Sequence, residues 1–486
     1  MREKFLNFLE NKNKSILLII LLLNFTLRLV IYFTTKLFYF SDFTASFDAI
    51  ELIHSGKTVP FYNGGYSYLN SYFGYFFKYT LGNLDYYFIV NSFFGTIATF
   101  IVYRIVIALK LSRVKGLIAV IVLSVYTEFM VFSSVLYTPI LMVTLLGLII
   151  LFSIRFAEKE RFSIKYLICI TVLVVISLFL KRELLYIWGL YLVFAFMLLI
   201  NRNKQLAKRF LILSIVLFFS ITTISTKIIL NGNEALKRNS FLMFAHTWYG
   251  GDGGKAQITY PEKQKLYDKK FKDYCEKRGI HSPDSNDMYN FQDLELRESI
   301  LNHPFSWIRL QFHKFFWEYG VLPESTSFRI LMTGLLKGST ILVAIVLLLP
   351  VMTIITLLIL TFNLKRSIKK LKMEPPHLLM AIFLVYYLIA TVFYYPYSER
   401  YRIPVMVCFW IPLLVDNLVD FRLKALVNNK KEMIIKALIF LIFAVNWSYE
   451  AYIIGIKNRG RYNKTLYEIQ DKNVSESFYT SPTLFQ

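Results

Sequence analysis

The sequence predicts an all-α polytopic membrane protein with about eleven transmembrane helices, outer-face juxtamembrane helices and a small external loop domain. Hydrophobic residues make up 56% of its 486 residues and charged residues only 18%, against about 25% charged residues in typical soluble domains. The apolar residues fall in blocks of about 20, the length that crosses a hydrocarbon core of about 30 Å. This composition excludes a disordered chain, a coiled coil and an ordinary cytosolic enzyme.

The eleven spans are placed on the apolar blocks, and short basic segments separate them. The spans cover residues 15–36, 86–109, 115–134, 136–154, 166–180, 184–201, 210–230, 339–362, 378–395, 403–421 and 433–454. Because Arg2, Lys4, Lys12 and Lys14 precede the first block, the positive-inside bias predicts a cytoplasmic N-terminus. Every short loop on that side is then basic. The odd span count puts a basic C-terminal tail outside, so either the tail is tolerated there or one span is miscounted.

The basic balance and the cysteines predict no further partner or cofactor. The net charge of +23 is spread over the short segments between apolar blocks, which favours membrane orientation over nucleic-acid binding. Cys169, Cys275 and Cys408 are too few and too scattered for a disulfide framework or a metal cluster. We therefore predict no cofactor and no metal site. The first apolar block is too long for the core of a cleavable signal peptide.

The polar segments divide the chain into three parts. Residues 1–230 form an N-terminal transmembrane module, which includes a first external loop at 37–85. Residues 231–338 form an external loop domain of mixed structure, and residues 339–486 form the C-terminal transmembrane module and tail. The inverted repeat typical of many transporters is not visible.

Three stretches of the external loop domain have a helical pattern. Tyr260–Arg278 and Asp293–Asn302 are predicted to be charged surface helices. Phe305–Tyr319 is rich in aromatic residues and amphipathic, as suits a segment at the membrane interface.

The first external loop begins with an acidic helix. Asp42 lies just beyond the first span, and a helix is predicted from Asp42 to Ser55, closed by Gly56. Asp48 and Glu51 add two more carboxylates to it. An alternative reading of Asp42 is purely structural, because Asp is a good N-cap residue.

The chain resembles the GT-C glycosyltransferases at this point. An Arg within the first span (Arg28), an Asp at its outer end (Asp42) and a short helix closed by Gly56 look like the start of that family. The family includes bacterial relatives of the protein O-mannosyltransferases and of the lipid A aminoarabinose transferases. Further stretches are similar to family segments in the same order: Asn91–Lys115, Leu178–Glu183, Asn302–Trp307 and Ser398–Pro404.

The resemblance implies sugar transfer from a polyprenyl-phosphate carrier to a lipid, glycan or protein acceptor, with inversion, at the outer face of the membrane. The acceptor hydroxyl must lose a proton as it attacks, and a carboxylate within hydrogen-bond reach takes it. Asp42 matches the family's general base by position, and Asp48 is the substitute.

The leaving lipid phosphate requires fixed cations at the same face. Lys181, Arg182, Arg400 and Arg402 all fall at outer ends of predicted spans, and Arg suits bidentate contact with phosphate. The alternative is that these side chains snorkel to the interface.

The sequence departs from the family in one outer turn. Relatives often carry an acid before the Pro of the turn between the third and fourth spans, but Ser133–Pro139 has none. Glu128 lies inside the third span, and an intramembrane acid is a functional candidate by default. Glu128 either supplies the missing carboxylate or pairs with a neighbouring span, and the departure leaves any metal dependence without support.

Two other functions fit the same pattern. A transporter or flippase of lipid-linked sugars would share the basic outer clusters but needs no base, and a polysaccharide polymerase would also have many spans and a large outer loop. The composition, rich in Lys, Asn, Ile and Phe, is typical of AT-rich bacterial genomes, which indicates a bacterial plasma membrane.

Overall fold

The computed structural model describes a large part of the chain. The described residues are 12–34, 42–57, 62–63, 66–134, 136, 139–180, 184–224, 260–283, 285–302, 304–305, 307–308, 311, 374–390, 403–412 and 415, with single positions at 434, 438, 441 and 445. Most of these residues are helical, and the prediction of a helical membrane protein is confirmed at this level.

The helices follow the chain from α1 to α13 within the described residues. They are α1 (Asn13–Thr34), α2 (Asp42–His54), α3 (Tyr68–Tyr75), α4 (Asp85–Ala108), α5 (Arg113–Val125), α6 (Thr127–Val131), α7 (Pro139–Glu158), α8 (Ile164–Leu178), α9 (Ile187–Ile200), α10 (Lys204–Ile224), α11 (Tyr260–Lys277), α12 (Ser285–Asn302) and α13 (Pro375–Ile389). π-Helical turns cover Phe76–Thr80 and Met406–Trp410, and a 3₁₀ turn covers Phe132–Ser134. A short hairpin pairs β1 (Tyr62–Asn63) with β2 (Tyr66–Ser67) antiparallel.

Four of the described helices are long and apolar enough to cross a membrane: α1, α4, α7 and α10. Helices α8, α9 and α13 are apolar but shorter. The chain is therefore a multi-pass membrane protein. The count of eleven spans stays a prediction, because residues 339–362 and most of 433–454 lie outside the described residues.

The third predicted span, at 115–134, is interrupted. Helix α5 ends at Val125, and Tyr126 has an extended backbone with ψ of 95°. The short helix α6 and the 3₁₀ turn follow it. The apolar pattern is continuous here and gives no sign of this break. Backbone groups in an apolar layer require partners, and side chains of α1 and α4 donate hydrogen bonds to backbone carbonyls in the segment after the break.

The bundle packs through large apolar side chains and a few glycines. Helix α4 lies between α5 and α7, while α9 packs on α10. Gly147 of α7 brings its backbone close to α4, since a Cβ there would lie 2.9 Å from Ile101. Small residues allow such close helix approach in membranes. Large apolar side chains of α1, including Leu18 and Leu23, remain exposed, as expected for a lipid-facing surface.

The described part of the predicted external domain is a helical hairpin. Helix α11 matches the prediction, while α12 begins at Ser285, earlier than predicted. Buried Tyr274, Cys275 and Phe291 form the core of the hairpin. Lys270 Nζ and Glu295 Oε2 make an ion pair of 2.9 Å between the two helices. Mixed structure is therefore not seen here, and the three-part division of the chain stays a prediction.

Candidate functional site

Helix α2 has the extent and the stop signal that the sequence predicts. It runs from Asp42 to His54 and ends at Gly56, whose φ is +73°. The Gly56 N–H donates to the Ile53 carbonyl and the Lys57 N–H to the Leu52 carbonyl, each at 3.0 Å. These two bonds form a Schellman motif, which favours glycine because its left-handed position strains residues with a Cβ.

Helix α2 is held against the end of the helix bundle. Ser46, Ala49 and Ile50 are buried. The Ile50 side chain fills the space above Gly74 of α3, where an added Cβ would overlap Ile50 and lie 3.3 Å from Leu136. An apolar cluster extends this contact to α1 and α4; its buried members are Tyr32, Ile50, Phe77, Tyr87, Phe88 and Leu136. The acidic helix therefore packs in a defined position on the bundle.

Two carboxylates of α2 have different surroundings. Glu51 contacts Lys78 Nζ at 2.5 Å and accepts a 2.5 Å hydrogen bond from the Tyr79 hydroxyl. The His54 ring stacks on Tyr79 with centroids 3.7 Å apart. Both carboxylates are exposed, but Glu51 is held by polar partners in what we call the Glu51 cluster (Glu51, His54, Lys78 and Tyr79).

The two carboxylates also differ in pKa. Desolvation acts to raise the pKa of Glu51, but the hydrogen bonds from Lys78 and Tyr79 and the charge of Lys78 outweigh it, so this pKa lies below its ordinary value. Desolvation and the nearby charge of Glu51 raise the pKa of Asp48. Asp48 is therefore the more basic of the two carboxylates.

A second polar centre lies inside the bundle around Arg28 of α1. The Arg28 side chain is fully buried. Its Nε donates to Asn24 Oδ1 at 3.0 Å, and Nη1 donates to the Phe129 carbonyl at 2.9 Å and to the Ser133 hydroxyl. Its Cζ lies 4.3 Å from the Phe129 ring centroid. Gly95 of α4 makes room for the guanidinium, because a Cβ there would lie 2.5 Å from Nη1.

The same centre joins α1 and α4 to both parts of the interrupted third segment, α5 before the break and the 3₁₀ turn after it. Asn24 Nδ2 donates to the Ser124 hydroxyl at 3.0 Å, and the Thr96 hydroxyl donates to Asn24 Oδ1 at 3.2 Å. Asn91 Nδ2 donates to the Ser133 carbonyl at 3.0 Å. We call Arg28, Asn24, Asn91, Thr96 and Ser133 the Arg28 network. It connects groups that are costly to bury without partners.

Sequence reasoning assigned no role of its own to Arg28. The signal was present, because an ionisable residue within a membrane span is a functional candidate by default. Asn24, one helical turn earlier, adds a second polar side chain to the same helix face. The partners on α4 and in the interrupted segment carry no comparable sequence signal.

Most predicted site residues lie outside what the structure describes. These are Lys181, Arg182, Arg400 and Arg402, together with the side chains of Asp42 and Glu128. Asp42 is the first residue of α2, and Glu128 lies in α6. Their convergence at one site stays a prediction.

Described neighbours of the predicted cations contact α3 and the helix bundle. The Leu69 N–H donates to the Phe179 carbonyl at 3.2 Å, which joins the start of α3 to the end of α8. The Cys408 thiol approaches the Val143 carbonyl at 3.6 Å, one turn into α7. Phe179 shortly precedes Lys181, and Cys408 follows Arg402 by less than two helical turns.

Among the described residues, no group of three His, Cys, Asp or Glu side chains could hold a metal ion. Cys169, Cys275 and Cys408 are free thiols, and the latter two are buried.

No protein-family model matches the chain, and no curated protein matches it.

Proposed function

We propose that the protein is an inverting glycosyltransferase of a bacterial plasma membrane, with about eleven spans and a cytoplasmic N-terminus. It would move a sugar from a polyprenyl-phosphate carrier to an acceptor hydroxyl at the outer face. The observation that carries the proposal is the seat of α2, an acidic helix that begins at Asp42 soon after α1 and packs on the bundle end through Ile50. Such a helix would present carboxylates near the head-group level of the proposed outer face, where a lipid phosphate would lie.

The proposed reaction is a single displacement. The acceptor oxygen bonds to the anomeric carbon as the bond from that carbon to the phosphate oxygen breaks, and polyprenyl phosphate leaves with the electron pair. The hydroxyl proton passes to a carboxylate, and we assign this role to Asp42. Asp48 is the second candidate, since its raised pKa makes it a stronger base than an ordinary aspartate.

Four cations would hold the leaving phosphate: Lys181, Arg182, Arg400 and Arg402. Glu128 would supply an additional carboxylate to the site. Developing negative charge on the phosphate is stabilised best by cations already fixed in place. The contact between Leu69 and Phe179 supports this assignment, because it joins the first external segment to the chain just before Lys181.

The test is to replace Asp42 with Asn and to measure the release of polyprenyl phosphate, a product common to every acceptor. Full-length protein in proteoliposomes would receive a panel of labelled polyprenyl-phosphate sugars with membrane extract as the acceptor source. We expect Asp42→Asn to lose roughly 10²- to 10⁴-fold in turnover, the usual contribution of a general base. The matched variant Asp48→Asn should stay within a few-fold of the unmodified protein.

Other outcomes separate the alternatives. Normal turnover by a folded Asp42→Asn protein would remove Asp42 from the mechanism, and loss in Asp48→Asn alone would make Asp48 the base. Movement of a lipid-linked sugar across the bilayer without polyprenyl phosphate release would identify a flippase. Long repeat-unit products would identify a polymerase.

A further inference from the structure

We infer that Arg28 is a positioning residue, which fixes the interrupted third segment in the conformation against which α2 packs. The effect on sugar transfer rests on the proposed function, whereas the effect on conformation does not.

The guanidinium of Arg28 bridges the junction between α6 and the 3₁₀ turn. Nη1 of Arg28 donates to the carbonyl of Phe129, inside α6, and to the hydroxyl of Ser133, inside the turn. Asn91 adds a bond to the Ser133 carbonyl from α4. Since no water is available in an apolar layer to satisfy freed backbone groups, these side chains hold the junction.

Leu136, just beyond the junction, packs in the same apolar cluster as Ile50 of α2. Leu136 follows Ser133 by about one turn and is fully buried. Its Cδ1 and the Ile50 side chain both border the site where a Cβ of Gly74 would lie. A shift of the turn would therefore move the apolar contact on which Ile50 rests, and with it the helix that begins at Asp42.

Arg28 cannot move independently of the bundle end. Tyr32, one turn later on α1, donates to Asp85 Oδ1 at 2.5 Å and stacks on Phe88 with centroids 4.9 Å apart. On the other side, Gly95 lies against the guanidinium, where a Cβ would be 2.6 Å from Cζ. Arg28 is therefore fixed to α4 as well as to the junction.

The side chain also has to be Arg. The planar guanidinium directs Nε at Asn24 and Nη1 at the junction at the same time, which the single nitrogen of Lys cannot do. Replacement by Lys keeps the charge and removes this geometry.

The experiment compares three variants of the full-length protein in lipid nanodiscs: Arg28→Lys, Gly95→Ala and Gly116→Ala. Gly116→Ala is the matched control, because its added Cβ would lie 2.6 Å from the Tyr103 ring, an overlap of similar size without a buried charge. Hydrogen exchange is followed for peptides that cover 126–136 and 46–57, and kcat and KM are measured for polyprenyl phosphate release.

We expect Arg28→Lys and Gly95→Ala each to speed exchange in both peptides roughly 10-fold or more, as the loss of hydrogen bonds to a charged group predicts. In the same two variants kcat should fall roughly 10- to 100-fold, as expected for misplaced groups, with KM little changed. The combined variant should resemble Arg28→Lys alone, because the shorter head group leaves room for the Cβ.

Unchanged exchange at 126–136 in Arg28→Lys, or equal effects of Gly95→Ala and Gly116→Ala, would overturn the inference. If Arg28→Lys does not fold, Gly95→Ala decides the question by itself. If the unmodified protein transfers no sugar from any donor while the exchange results hold, the proposed function fails and the positioning role stands.

Discussion

At the scale of single residues, Arg28 is the most informative side chain in the described part of the chain. It is fully buried, and the described groups that accept its hydrogen bonds are the neutral oxygens of Asn24, Phe129 and Ser133. Removing an ion from water costs several kcal/mol even after relaxation. A methionine of similar length would pack there without that cost, so the cation indicates a requirement other than stability.

The Glu51 cluster should make the attachment of α2 sensitive to acid. Because the pKa of Glu51 is lowered in the folded protein, its stabilising effect is complete above its unfolded pKa of about 4.3. The effect is lost as pH falls through the lower folded value. We expect hydrogen exchange at 46–57, corrected for its intrinsic pH dependence, to rise as pH falls below about 4.3.

The control for this prediction is Glu51→Gln, which should remove the acid-dependent increase. The titration of Asp48 changes stability with the opposite sign, since the pKa of Asp48 is raised in the folded protein. Asp48→Asn removes this contribution. A raised carboxyl pKa favours folding at low pH, and this contribution declines as pH rises through the folded value. An acid response that persists unchanged in Glu51→Gln would show that another group is responsible.

At the scale of secondary structure, the sequence predicts elements better than their contacts. The extent of α2 and its stop at Gly56 follow from local signals, apolar residues at helical spacing and a closing glycine. The partners of α2 do not, because Gly74 lies elsewhere in the first external loop and Leu136 at the start of the fourth predicted span, and neither residue carries a local signal for this contact. The break at Tyr126 is likewise invisible to periodicity, and the bonds that Arg28 and Asn91 make to the Phe129 and Ser133 carbonyls beyond it come from other helices.

Two helix ends carry a strained basic residue where glycine is usual. Lys110 after α4 and Arg202 after α9 have φ of 59° and 60°. Each completes a Schellman motif; the Leu111 N–H, for example, donates to the Val106 carbonyl at 3.3 Å. A left-handed residue with a Cβ costs roughly 1–2 kcal/mol.

Lys110→Gly should therefore raise stability by about 0.5–1 kcal/mol, a gain reduced by the greater freedom of glycine in the unfolded chain. The measurement is the thermal midpoint of the purified protein in detergent. Lys110→Ala is the matched control, since it removes the charge but keeps the Cβ, and it should bring no gain. Equal stabilisation by both variants would attribute the effect to charge instead of backbone strain.

At the scale of the whole molecule, the multi-pass character follows from composition and block length, and the described apolar helices agree with it. The proposed convergence of the predicted site residues does not follow from composition or block length. Asp42, Arg182 and Arg402 come from three distant segments, and a one-dimensional pattern indicates which end of a span a residue occupies but not which spans are neighbours. The Arg28 network shows the same limit, because its members come from three segments that are distant in sequence.

The proposed topology predicts opposite accessibility for two exposed positions. Lys57 follows α2, and Gln205 lies in the first turn of α10. In intact cells, Lys57→Cys should react with a membrane-impermeant maleimide, whereas Gln205→Cys should react only after permeabilisation. The unmodified protein, with Cys275 and Cys408 buried, measures the background. Labelling of both positions from the same side would contradict the topology.

The tight fit of Gly95 against the Arg28 guanidinium also has an evolutionary consequence. A methyl group at position 95 would collide with the head group at position 28, so neither position is free to change by itself. Among homologous sequences, a residue bulkier than Gly at position 95 should appear only together with a residue shorter than Arg at position 28. The residues at positions 28 and 95 should therefore covary, which an alignment of homologous sequences can test.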